Sequence, residues 1–218
     1  MSLPFADSIS GFTGSKQAIA KARSWLQMCT TEHACSKNIS SRLPTRVLRI
    51  EGPKLISLHI SQGEIGSYAC LSHCWGDQSL LLLKTTANNL EKFQDRIPWE
   101  DLPKTLRNAI YFTYNLGLKY LWIDSLCILQ DSVDDWRHEG SAMADIYESA
   151  LITLVATMAP NATHGCFAAS RSKHKSRYMK VTANTSLMGM PFTVHVRDPL
   201  PHGDRNKAYS LPLLSRGW

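Results

Sequence analysis

Four groups of residues in this 218-residue chain have side-chain types and spacing suited to chemistry. The first is Ser72-His73-Cys74-Trp75-Gly76-Asp77, which closes an apolar run beginning at Ser67. Trp75 offers a flat face for a nucleobase or nicotinamide ring, Gly76 permits close backbone approach, and Asp77 can accept from a ribose hydroxyl. The alternative reading makes Trp75 a core residue and Gly76 a simple turn. The second group is Asp124, Ser125 and Cys127 inside the run Tyr120 to Ile128. Asp124 sits among apolar neighbours, so it either binds a ligand or accepts from backbone amides of a nearby loop. Cys127 has no histidine spaced to act as its base and reads as a small buried hydrophobe.

Glu139 is the third. At about 100° per residue, Trp136, Gly140, Met143, Tyr147 and Ala150 share one helical stripe, and Glu139 lies on its edge, aimed toward the core side. A carboxylate so placed can stabilise positive charge, and Gly140 beside it leaves space at a cost in helix stability. The competing reading is an ion pair with Arg137, Lys119 or another cation. The fourth group, Cys29, His33 and Cys35, resembles metal ligation, but structural zinc prefers closely paired cysteines and needs a fourth ligand. Packing is the expectation for this group, with no bound metal.

These groups must be positioned by ordinary elements. Lys16 to Cys29 places Ala18, Ala22, Trp25, Leu26 and Cys29 on one apolar stripe, which predicts a helix. Thr45 to Ile50 and Lys54 to Ile60 flank Glu51-Gly52-Pro53 and predict a hairpin with Ile56, Leu58 and Ile60 on one face and one wet side. Ser67 to His73, Tyr120 to Ile128 and Leu151 to Ala156 read as buried strands of a parallel sheet. Between them fall two helices. The first has Asp101 as its cap, Pro103 in its first turn and Gly117 after its end, and the second opens at Ser132 with a capping box. A further hairpin, Tyr178 to Thr182 with Phe192 to Arg197, follows an irregular stretch. The fold class is therefore α/β, a small parallel sheet with flanking helices and peripheral β-hairpins. Ligands of such sheets collect beyond the carboxyl ends of the strands, where Ser72 and Asp124 fall.

Composition narrows the setting. A chain of this length with 44% apolar residues can bury one sizeable core, so one domain is expected over 1–218, with its core at 43–160. The amino terminus has no basic region followed by an apolar run, so a cytoplasmic location with six reduced cysteines is expected. No apolar run approaches the ~20 residues of a membrane span. The net charge of +6 is dispersed except at Arg171 to Arg177, which lacks interleaved aromatics and reads as a solvated loop rather than a nucleic-acid site.

The motifs taken together resemble the fungal heterokaryon incompatibility (HET) domain: Trp25-Leu26, the spaced Cys29, His33 and Cys35, Leu43-Pro44-Thr45-Arg46, Leu71 to Gly76, Leu102-Pro103, Leu121 to Ile128, Asp135 to Glu139, and Ile146-Tyr147. Arg216-Gly217-Trp218 is similar to the start of a family motif that continues with Gln-Glu, which implies a chain cut short inside it. HET domains are in turn thought to be distant relatives of Toll/interleukin receptor (TIR) domains, and Leu71 to Asp77 and Trp136 to Glu139 are similar to the TIR strand ending and Trp-x-x-Glu helix. The resemblance implies a TIR-like or flavodoxin-like three-layer fold and a cytoplasmic cell-death effector that cleaves NAD or a related nucleotide. It further implies Glu139 as the catalytic carboxylate, with Ser72, Trp75, Gly76, Asp77 and Asp124 around the substrate. Assembly into a homo-oligomer and an upstream sensor are the partners it implies, and no further cofactor. The other reading is a self-associating signalling module without catalysis.

Overall fold

The computed structural model describes residues 10–33, 40–76, 83–169 and Leu213, with the backbone of 177–181 and 192–196. Its centre is a five-stranded mixed sheet in the order β3 (Leu55–Ile60), β2 (Arg46–Gly52), β6 (Tyr120–Trp122), β5 (Tyr68–Ser72), β7 (Ile152–Val155). Three of the strands are the parallel set read from the sequence: β5 (Tyr68–Ser72) lies between β6 (Tyr120–Trp122) and β7 (Ile152–Val155), parallel to both. Their carboxyl ends therefore share one edge. The connections from β5 to β6 and from β6 to β7 run in opposite directions across the sheet, so right-handed crossovers put helices on both faces. These are α3 (Lys104–Leu116) and α5 (Val133–Ser149).

The expected hairpin is present as β2 (Arg46–Gly52) and β3 (Leu55–Ile60), and it is not an appendage. Strand β2 pairs antiparallel with β6 through Leu48 and Leu121, so the hairpin extends the central sheet. That explains why Ile56, Ser57 and Leu58 are buried in succession while Ile60, expected on the apolar face, is 39% exposed. The hairpin's outer strand is covered where Ile97 N donates to Ile56 O at 2.8 Å, beyond the short helix α2 (Leu90–Asp95). Strand β7 departs from expectation in the other direction. It is an edge strand with half-exposed positions rather than a buried one, because only β5 pairs with it among the described residues.

The helices follow their local signals with two corrections. In α5, Ser132 Oγ accepts from Asp135 N at 3.2 Å, the expected N-cap. Helix α3 ends at Gly117, whose φ of 85° is the left-handed conformation that glycine adopts without strain. Its start is not at Asp101, which belongs to a 3-10 turn over Trp99–Asp101; Pro103 is the cap residue. Helix α1 (Lys16–Thr31) packs through Ile19, with Trp25 turned out to 58% exposure beneath the ammonium of Lys21, 5.7 Å from its ring centroid. The remaining strands are β1 (Ser41–Arg42) with β4 (Ile65–Gly66), and the expected distal hairpin of β8 (Arg177–Val181) with β9 (Phe192–Val196).

The core gathers on both faces of β6, where Leu121, Trp122 and Ile123 are fully buried. Tyr68 Oη donates to Ile146 O at 2.7 Å and pins the amino end of β5 to the last turns of α5. Leu121→Ala should destabilise the fold by about 2–5 kcal/mol, since a fully buried leucine leaves a cavity, whereas Ile60→Ala should cost under about 0.5 kcal/mol. Urea titration of both variants checks the contrast.

Candidate functional site

The run Tyr120 to Ile128 is a strand only as far as Trp122. Asp124 opens a single helical turn, α4 (Asp124–Cys127), because its Oδ1 accepts from Ser125 N at 2.8 Å and Ile123 O accepts from both Leu126 N and Cys127 N. A short polar side chain at a turn start competes with the sheet ladder for backbone partners, which is what ends the strand here. The same carboxylate reaches β5's extension: Trp75 Nε1 donates to Asp124 Oδ2 at 2.9 Å. Two residues read as separate from the sequence thus form one brace at the carboxyl edge. Thr85 closes the turn from outside, donating to Leu126 O from Oγ1 at 2.6 Å.

Gly76 has φ of 82°, and a Cβ there would stand 2.3 Å from Asn161 Cβ. The close backbone approach that Gly76 permits is therefore made by the loop after β7. Asp77 lies outside the described residues, as do Cys35 and Arg216 to Trp218. Cys29 is half-buried on α1 and His33 is exposed. Among the described residues no cluster of three His, Cys, Asp or Glu side chains has metal-binding geometry.

Glu139 is 1% exposed, and its partner is Arg46, the last residue of the Leu-Pro-x-Arg segment. The Arg46 guanidinium, itself 7% exposed, donates from Nε to Cys127 O at 2.7 Å, meets Asp135 Oδ2 at 2.5 Å, and lies 3.7 Å from Glu139 Oε1. Asp135 Oδ2 also accepts from Leu129 N at 2.8 Å. One cation therefore serves two carboxylates a helical turn apart. Glu139 Oε1 makes no hydrogen bond among the described residues, an uncommon state for a buried oxygen. Of the cations weighed from the sequence, Arg137 instead pairs with the exposed Asp134 at 3.6 Å, and Lys119 lies over the Tyr120 ring.

Arg46 and Asp135 are the site residues that sequence reasoning did not assign. A signal for them existed. Acids at 135 and 139 lie four apart on one helix face, and two inward carboxylates require a buried cation.

On α5's adjacent face, Gly140, Met143, Ala144 and Tyr147 line a cavity of about 530 Å³ with Ser72, Thr153 and Val155 of the sheet. Ser72 is thus in the cavity wall, and Glu139 is not. Trp136, expected in the core stripe, is 56% exposed, with its ring 3.6 Å from where a Cβ on Gly140 would sit. The stripe fails at its first member, where no described element covers the indole.

Residues 68–218 match the family described as heterokaryon incompatibility protein (HET). The chain belongs to the HET family. The matched segment holds β5, α4, α5 and both braces except Arg46, which precedes it. No curated protein and no solved structure matches the chain. Membership carries a role in heterokaryon incompatibility and cell death. Among the described residues of this HET chain no helix is long and apolar enough to cross a membrane.

Burial pushes the Cys127 thiol up from its ordinary value of 9.0 to about 12, and the Cys70 thiol rises for the same reason. Neither is a nucleophile at neutral pH. A folded-state value above the unfolded one means that the thiols stabilise the fold fully below pH 9.0 and lose that contribution as pH rises toward about 12. Stability should therefore fall across that alkaline window, and Cys127→Ala should flatten the fall. Denaturant melts at stepped pH measure this. Arg46→Met should cost about 3–5 kcal/mol, because it leaves the buried Glu139 and the half-buried Asp135 without a counter-charge, and adding Glu139→Gln to it should restore part of the loss. A double-mutant cycle of unfolding free energies checks the coupling.

Proposed function

We propose that this HET domain kills by hydrolysing the nicotinamide–ribose bond of NAD or a related nucleotide. What supports the reading is one observation above others: a buried carboxylate, Glu139, keeps an oxygen without a hydrogen-bond partner among the described residues, next in sequence to Gly140, the first of the α5 residues that line the cavity at the carboxyl edge. An enclosed oxygen left unmatched costs free energy in the resting fold, and such costs concentrate at functional sites. The similarity of Leu71 to Asp77 and Trp136 to Glu139 to TIR motifs points the same way.

The chemistry follows from the bond. As neutral nicotinamide departs with the bonding electron pair, positive charge develops on the ribose carbon and ring oxygen, and a carboxylate within reach stabilises it. Water then adds to that carbon and releases a proton, so that NAD and water yield ADP-ribose, nicotinamide and a proton. Glu139 supplies the carboxylate, Ser72 and Asp124 frame the edge, and Trp75 and Asp77 contact base and ribose. Arg46 holds Glu139 at 3.7 Å, beyond hydrogen-bond length, so rotation of the side chain toward the cavity gives up an ion pair rather than a hydrogen bond. Assembly of several chains, prompted by an upstream sensor in the cytoplasm, is the step that would move α5 and release it.

A second reading has its own observation. Trp75 meets Asp124, and Arg46 meets Asp135 and Glu139, so these motif side chains bind one another and are sufficient as braces of a self-associating signalling module without catalysis. Glu139→Gln separates the two. Under the hydrolase reading it abolishes nicotinamide release and cell killing while the fold survives. Under the second it lowers stability by about 1–3 kcal/mol and leaves killing proportional to the folded fraction. Nicotinamide release and thermal unfolding on one preparation decide it, and an assembled wild type that releases none ends the hydrolase reading.

A further inference from the structure

We infer that the cavity between α5 and the β5–β7 edge is a binding site for a flat, uncharged heteroaromatic ring bearing a hydrogen-bonding substituent, such as nicotinamide or a purine base. The choice of these two rings rests on the nucleotide reading; the site itself rests on the cavity. Its volume, about 530 Å³, suits a small-molecule site and exceeds what one ring needs, leaving an open side for the rest of a larger ligand.

The lining selects the class. Among the described residues, Met143, Ala144, Val155 and the Tyr147 ring supply apolar surface, Ser72 and Thr153 supply hydroxyls, and no carboxylate or amine lines the wall. A phosphate or carboxylate would lose its hydration there without gaining a counter-charge. A neutral ring loses little and keeps a hydrogen bond.

Two departures from the expected helix become intelligible together. Gly140 stands in the middle of a helix, where it costs about 1 kcal/mol relative to alanine, and a Cβ at that position would stand in van der Waals contact with the Trp136 ring, 3.6 Å away. Trp136, one turn earlier, leaves a large aromatic surface in solvent directly across Gly140. Without a Cβ, Gly140 lets the indole lie close against the helix at the cavity rim, and the exposed face of the indole offers a surface on which an entering ring can stack. The register of the sheet supplies the floor: Ser72 pairs with Val155, and Cys70 with Thr153, so Ser72, Thr153 and Val155 fall on one face. That is the α5 face, since Cys70 Sγ meets Ile146 O.

The test is titration of the full chain with nicotinamide, with adenosine, and with ribose 5-phosphate as the ringless control, reading the methyl resonances of Met143, Ala144 and Val155. One or both rings should shift these methyls saturably, and ribose 5-phosphate should not. Gly140→Leu should weaken ring binding at least ten-fold while the helix, with a better helix former, stays folded. Should that variant fail to fold, Trp136→Leu, at an exposed position, should weaken binding several-fold with an unchanged melt. Methyls unmoved by either ring, equal shifts with ribose 5-phosphate, or a folded Gly140→Leu that binds as the wild type does would overturn the inference. The outcomes separate from those of the hydrolase reading. NAD cleavage with unmoved methyls removes the ring site alone, and ring binding without cleavage by the assembled chain removes the hydrolase alone.

Discussion

Arg46 is the constraint around which the carboxyl edge of the sheet is built. Its guanidinium leaves the first residue of β2 and reaches Cys127 O at the end of α4 and two carboxylates on α5. Three elements separated in sequence are joined by one buried charge. Hydrogen bonds to charged groups contribute about 1.5–3 kcal/mol each, and removing the cation would leave the enclosed Glu139 without a counter-charge and Asp135 with its backbone donor alone. The path of the chain from β6 through α4 into α5 depends on this arrangement. So does the face that α5 turns to the sheet.

The second brace works by a different balance. Asp124 divides its two oxygens between the backbone it caps and the indole of Trp75. The cost of placing a carboxylate among Ile123, Ser125 and Leu126 is met by these donors, and the strand is shortened as a result. Because β6 is so short, α5 begins over the edge rather than behind it.

Local rules are broken together on α5: a glycine in mid-helix, a buried oxygen without a hydrogen bond among the described residues, and a large aromatic residue in solvent. A fold selected for stability alone would have no reason to concentrate these. Some local signals agree with the tertiary outcome, as at the Ser132 cap, the Gly117 terminus and the pairing of β2 with β3, while Asp101, Trp25 and Ile60 depart from it. That contrast is what supports the proposal of a functional site at the α5 face.

The sequence by itself determined the family, the three parallel strands, the helices between them and the inward aim of Glu139. Each of these is a local property: hydrophobic period, cap and turn chemistry, or a contiguous motif. Tertiary structure alone decided that Arg46, 89 residues before Asp135, is the shared cation. It also decided that Trp75 binds Asp124, that the hairpin joins the central sheet, that β7 is an edge, and that Trp25 and Trp136 face solvent. A helical period states which side chains share a face but not whether another element covers it. An inward carboxylate requires a cation without saying which one, because that depends on how strands and helices pack across the whole chain.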